Sequence, residues 1–251
     1  MRLSLLRLLL ATILLSATAG NLHAARAPLV ADLSDHLVAI TTGFAGTDVL
    51  LFGATEARGD VVVVIRGPSK PVTMLRKSRV LGIWANTASM SFARAPTFYA
   101  LASSRPLDEI AGLTELERHQ IGVRHIRLEL PRSKVSENVA EEWRSALVRT
   151  HQTLALYQNE PGRVTFLGNR LFRAEFHLPA NVPTGSYQVQ VFLFQEGRVR
   201  SAQITPLIVS KIGVQAEIFD FAQERSALYG IVAIVIALVA GWLGNVLFRK
   251  A

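Results

Sequence analysis

Leu228 to Phe248 runs for 21 residues without an Asp, Glu, Lys, Arg or His. As a helix rising 1.5 Å per residue, that stretch spans about 31 Å, close to the hydrocarbon thickness of a bilayer. Arg249 and Lys250 follow at once. The stretch reads as a single C-terminal membrane anchor over residues 226–248, with 249–251 as a short tail. Residues before it read as the body that the anchor carries.

The other end supports an exported body. Arg2 and Arg7 precede an apolar run from Leu8 to Ala19, and small residues follow at Ala24, Ala25 and Ala27. A basic start, a short apolar centre and a small-residue end are the pattern of a signal peptide, placed here at residues 1–25. Arg249 and Lys250 then stay on the cytoplasmic side. The expectation is a single-pass protein of a bacterial inner membrane, with its body in the periplasm and its C-terminus in the cytoplasm. The chain has no cysteine, so no disulfide holds the body and its apolar core must do so.

The net charge of +8 suggests a nucleic-acid or acidic-surface binder, but its location argues against nucleic acid. Five of the positive residues lie outside residues 28–225, which hold 22 basic and 19 acidic residues. The excess concentrates in residues 58–105, where Arg58, Arg66, Lys70, Arg76, Lys77, Arg79, Arg94 and Arg105 face one acid, Asp60. Such a cluster concentrates anions; the plainer reading is a solvated face.

Along the body, short apolar runs separated by Gly, Pro and Asp suggest strands. Val61–Ile65 is the clearest: five β-branched residues between Gly59 and Gly67, too apolar to have a wet face and so central in a sheet. Val80–Trp84, Thr97–Ser103 and Val123–Leu130 read as further strands. Pro106 and the capping-box spacing Thr114 to Glu117 open two short helices. A longer helix is expected over 136–158, with Val139, Trp143, Ala146, Leu147, Leu154 and Tyr157 on one face. Val164–Leu167 and Leu171–Leu178 form a hairpin around Gly168-Asn169, and Tyr187–Leu193 pairs with Val199–Val209. The fold class expected is mainly β, an Ig-like β-sandwich body over 28–225 with a helical insertion at about 106–160, plus the membrane helix. Two small domains are the alternative.

No motif points to catalysis. There is no Gly-x-Ser-x-Gly, no phosphate-binding Gly-x-x-x-x-Gly-Lys-Ser/Thr, and no histidine pair at metal-ligand spacing. The expectation is no enzyme, no cofactor and no metal. Two constellations remain. Arg66 and Lys70 after the central strand, with Arg76, Lys77 and Arg79, could bind an oxyanion or an acidic partner in fork geometry. Ala233, Ala237, Gly241 and Asn245 repeat every fourth residue on one face of the anchor, where small residues let helices approach and an Asn seeks a hydrogen bond.

Several local runs carry a resemblance. They are Asp32-Leu33-Ser34, Thr41-Thr-Gly-Phe44, Leu51-Phe-Gly-Ala54, Gly59-Asp60-Val61, Arg66-Gly-Pro68, Gly82-Ile-Trp84 and Phe98-Tyr99-Ala100, then Leu178-Pro179, Gly185-Ser-Tyr187, Lys211, Tyr229-Gly230 and Gly241-Trp242. The chain resembles the uncharacterised alphaproteobacterial transmembrane protein family over essentially its whole mature length. That resemblance implies an exported β-rich body on one C-terminal helix, encoded beside a sulfite-exporter-like transporter. The functional expectation is a membrane-anchored periplasmic accessory or binding protein beside an inner-membrane transporter, with an oxyanion as its possible ligand. The alternative is a structural envelope module that binds another protein, or a copy of itself through the anchor, and no small molecule.

Overall fold

A computed structural model describes residues 28–129, 136–212, 222–223 and 225–248, with the side chains of the last helix described as far as Leu243. The signal-peptide reading of residues 1–25, the tail at 249–251 and most of the lead into the anchor fall outside these residues.

Among the described residues, eleven strands and four α-helices follow in chain order. The strands are β1 (Leu29–Leu33), β2 (Leu37–Ile40), β3 (Gly46–Thr55), β4 (Asp60–Arg66), β5 (Ser69–Val80), β6 (Ile83–Pro96), β7 (Tyr99–Ser103), β8 (Gly162–Leu167), β9 (Leu171–Pro179), β10 (Gly185–Gln195) and β11 (Arg198–Lys211). Helices α1 (Leu107–Ile110), α2 (Leu113–His119) and α3 (Glu137–Thr153) lie between β7 and β8, and α4 (Ser226–Phe248) closes the described chain. Nine strands form one sheet in the order β1-β3-β9-β8-β7-β4-β10-β11-β2, curled into a half-barrel, while β5 and β6 form a separate two-stranded hairpin. The body is mainly β as expected, and its strands join in one curled sheet, which does not confirm an Ig-like sandwich. A short parallel contact between β7 and β8, Ala102 to Gly162 and Ser103 to Arg163, joins its halves.

The first two strands go to different places. β1 pairs antiparallel with β3, and β2 pairs parallel with β11 at the far edge. The Gln203 amide bridges β1 and β11: its nitrogen donates to the Ala31 carbonyl at 2.7 Å, and its oxygen accepts from the Ala31 N–H at 2.9 Å. One side-chain amide thereby supplies the donor and the acceptor that a ladder residue would supply.

β4 is central, as its composition requires. It lies between β7 and β10, and Val61 to Ile65 are all fully buried. Register separates its two faces. Val61, Val63 and Ile65 share the inner face with Val189, Val191 and Ala100. Val62, Val64 and Arg66 share the outer face with Phe192, Leu101 and Tyr99. Alternation on β9 gives the commoner pattern, with Phe172, Ala174, Phe176 and Leu178 inward and Arg173, Glu175 and His177 outward.

Other expectations change in detail. Val80–Trp84 is the turn of the β5–β6 hairpin: Val80 pairs with Ile83, and Leu81 and Gly82 connect them at φ 50° and 87°. Of the strand expected over Val123–Leu130, residue 130 lies outside the described residues, and 123–129 join no sheet; both edges of β7 are taken by β4 and β8. The segment forms a 3-10 turn at Val123–His125, and an extended run that buries Ile126 and Leu128 and meets β6 at Glu129. Helix α3 stops at Thr153; Ala140, Trp143 and Leu147 are its buried face, and Val139 and Leu154 are exposed. Helix α2 starts at Leu113 behind an N-terminal Gly112, so Thr114 lies inside it and caps nothing. Leu167 pairs with Leu171, so three residues connect β8 and β9.

At the start of β4, Asp60 accepts from Arg105 Nε at 2.9 Å, from Arg105 Nη2 at 2.5 Å and from Ser104 Oγ at 3.0 Å. The Arg105 hydrogen bonds hold its carboxyl below the ordinary carboxylate range, against the opposing effect of burial. A depressed carboxyl stabilises the fold above its unfolded value, and that contribution is lost as pH falls through the folded one. Asp60→Asn should therefore be less stable than the parent at neutral pH. The gap should close below about pH 4, as read by denaturant titration of the full chain in detergent from pH 7 to pH 3.

Candidate functional site

The outer face of β4 and β7 needs a cover, and α1, α2 and the turn after α2 supply it through Ile110, Leu116 and Ile121, all buried. Two side chains from the sheet fix this cover in place. Arg66 donates through Nη2 to the carbonyls of His119 at 2.6 Å and Gln120 at 2.9 Å, and through Nη1 to Gln190 Oε1 at 2.6 Å. Those carbonyls end α2, where a cation also meets the negative end of the helix dipole. Tyr99 Oη donates to the Gln120 carbonyl at 3.0 Å and accepts from the Gly122 N–H at 2.7 Å. Burial pushes the Tyr99 hydroxyl up to about 12 and the Arg66 guanidinium down from its ordinary value. Gln120 sits at φ 53°, a left-handed helix end that these bonds stabilise.

Arg66 thus binds the protein's own backbone. Its third nitrogen, Nε, is buried and has no hydrogen-bond partner among the described residues. A cleft of about 290 Å³ opens beside it, lined by Arg66, Arg118, His119, Gln120, Gln190, Phe192, Ala202 and Ile204. A larger groove of about 750 Å³ lies at the opposite end of β4, where Arg58, Arg198 and Arg200 accompany Asp60 and Glu196.

The remaining basic residues of the sequence reading lie on the hairpin and do not converge on Arg66. Arg76 turns to α3, pairing with Glu142 at 2.7 Å and stacking over the Trp143 ring with its guanidinium carbon 4.9 Å from the centroid. Lys70 is exposed near the hairpin base. Lys77 and Arg79 are exposed near its tip, where Lys77 pairs with Asn86 and Arg79 with Trp84. The structure thus distributes the predicted cluster among a buried staple, a brace onto α3 and a pair of cations at the tip.

The histidines also find local partners. His36 meets Asp32 at 2.9 Å, His177 meets Asp48 at 2.6 Å and His119 meets Glu115 at 3.5 Å. His125 and His151 meet the carbonyls of Ile121 and Leu147. On α4, Ala233, Ala237 and Gly241 lie along one side and are exposed, and Asn245 falls in the same helix beyond the described side chains. Sequence reasoning missed the tip of the hairpin. Leu81, Ile83 and Trp84 are exposed there, and the available signal was a Gly immediately after Leu81, between two runs of similar length.

Arg66→Ala removes the donor to two helix-ending carbonyls and should destabilise the body by about 1.5–3 kcal/mol, the range for hydrogen bonds to a charged group. Arg66→Lys keeps the charge but loses the fork, and should recover part of that loss. Denaturant unfolding of the full chain in detergent, followed by Trp fluorescence, reads both. A variant as stable as the parent would remove Arg66 from this structural role.

A comparison with curated proteins matches none. Among solved structures, the crystal structure of BslA, a bacterial hydrophobin, matches at 12% identity and a TM-score of 0.26, over 74% of this chain and 95% of that one. At that score nothing about this chain is drawn from it. A family model described as "Putative transmembrane protein (Alph_Pro_TM)" matches residues 28–250, which includes the β-rich body and the apolar C-terminal helix. The chain belongs to this transmembrane protein family.

Proposed function

We propose that this chain is a non-catalytic, membrane-anchored periplasmic accessory protein that works beside an inner-membrane partner, a transporter in the specific version of this reading. The observation that carries it is the contrast between α4 and the body. Ser226–Leu243 has a mean hydropathy of 2.3, and none of it is buried against the rest of the chain, while the body closes a core of its own. A helix so apolar and so exposed suits a bilayer, and its small-residue side suits a second membrane helix.

Geometry favours a macromolecular partner over a small oxyanion. Arg66 and Arg76 already have partners in the body, which leaves Lys70, Lys77 and Arg79 spread along an exposed strand, with Arg79 Nε donating only to the Gly82 carbonyl of its own turn at 3.3 Å. Three cations on an open ribbon make no enclosed fork for a small anion, but they suit an extended acidic surface. A structural envelope module without a transporter is the second reading, and the same features of the body support it.

Cross-linking and capture of the full-length protein from native membranes, beside Gly241→Leu and Asn245→Leu, tests this reading. Co-capture of one transporter that falls at least about tenfold in the variants, a coupling of about 1.4 kcal/mol, is the expected result. Capture of the protein's own copies alone would favour the envelope module, and capture of nothing would leave α4 as an anchor only.

A further inference from the structure

The β5–β6 hairpin stands outside the sheet that organises the body. Its base is integrated: Phe92, Ala95 and Pro96 are buried, Tyr157 Oη donates to the Pro96 carbonyl at 2.7 Å, and the Ala93 N–H donates to the Glu129 carbonyl at 2.9 Å. Contact with the body continues outward to Met74 and Met90, which pack against the core, and to Arg76, which meets α3. The four residues of β5 beyond Arg76 are mostly exposed and carry the tip about 13 Å further at the rise of a strand.

That tip is apolar. Leu81 is 98% exposed, Ile83 73% and Trp84 67%, with Val80 beside them. A two-residue connection with both residues at positive φ is the usual hairpin turn, and it favours Asn, Asp or Gly at its first position. A bulky apolar residue there is sterically disfavoured. The turn between β10 and β11 shows that the geometry does not call for one: Glu196 and Gly197 take φ 51° and 76° in the same two-residue connection. Leu81 therefore occupies a disfavoured backbone position and buries nothing within the protein.

Charge is arranged behind this apex. Arg79 lies directly across from Trp84, and Lys77 lies two residues further back on the same face. Val80 and Ile83 occupy the other face. From Val61 to Leu107 the sequence has no acidic residue, so nothing on the ribbon itself offsets these cations. The chain already belongs to a transmembrane family and carries a membrane helix.

We propose that the tip of the β5–β6 hairpin inserts into the interface of an anionic lipid bilayer. Leu81, Ile83 and Val80 enter the acyl boundary. Trp84 sits at headgroup level, where its amphipathic ring is favoured. Arg79 and Lys77 meet the anionic headgroups, an attraction that falls off within a Debye length and therefore needs the cations close behind the apex. A convex tip, an aromatic residue at its shoulder and a basic collar match a lipid surface in shape, polarity and charge together. The proposal does not depend on the transporter reading, which concerns α4.

The test uses full-length protein carrying Trp242→Phe, so that Trp84 is the exposed tryptophan and Trp143 stays in the core. In one arm the protein is held in nanodiscs of phosphatidylcholine and phosphatidylglycerol that contain brominated lipid. In the other, the nanodisc is unlabelled and brominated vesicles of the same composition are added. Quenching in the first arm places the tip in the anchoring membrane, and quenching in the second places it in a facing one; either supports insertion. The quenched component should disappear with Trp84→Phe. It should fall at least about threefold with Leu81→Asn, which retains the turn, and in pure phosphatidylcholine. No quenching in either arm, or quenching that Leu81→Asn leaves unchanged, would overturn the proposal. Capture of a transporter through α4 would be unaffected by either result.

Discussion

A strand with no wet face has to be covered twice. Val61 to Ile65 impose that condition here, and much of the body's construction answers it. On the inner face, Val61, Val63 and Ile65 join one apolar core with buried residues of β9, β10 and β11. The outer face requires a second layer, and the helical segment between β7 and β8 provides it. That layer is short-helical and would be poorly stable alone. Arg66 and Tyr99, both on the covered face, bond to the end of α2 and to the turn after it, so the strand that needs the cover also holds it in place.

This explains why a basic residue after a central strand is not automatically a ligand site. Arg66 sits at the last position of β4 with its side chain on the outer face, directly beneath carbonyls that α2 leaves without intrahelical donors. Nη2 alone meets both carbonyls, and Nη1 is taken by Gln190. Arg76 is similar in kind: its charge meets Glu142, and its flat face covers Trp143. The cations left for an external surface are those that the hairpin carries away from the body.

Some of this was legible in the residues. The centrality of Val61–Ile65 follows from five β-branched residues in a row, and the inward set on β9 follows from strict alternation. The anchor follows from length and apolarity alone. The hairpin was not legible, because Val80, Leu81, Ile83 and Trp84 have a buried strand's composition, and periodicity does not reveal whether a partner surface exists. Val123–Leu130 misled for the related reason that alternation marks a one-sided burial but not a vacant ladder edge, and β7 had none to offer. The single curled sheet depended on pairings remote in sequence: the parallel step from Ala102 to Gly162 and the Gln203 amide at Ala31.

What the sequence determined by itself are the properties set by local composition: a membrane-length apolar helix, a mainly β body held without disulfides, a central strand and a basic segment. Tertiary structure decided which members of that segment remain available. It directed Arg66 to a helix end and Arg76 to α3, and left Lys77 and Arg79 behind an apolar tip. The physical reason is that charge and hydrophobicity are properties of residues, whereas exposure and hydrogen-bond satisfaction are properties of the surroundings that distant strands and helices create.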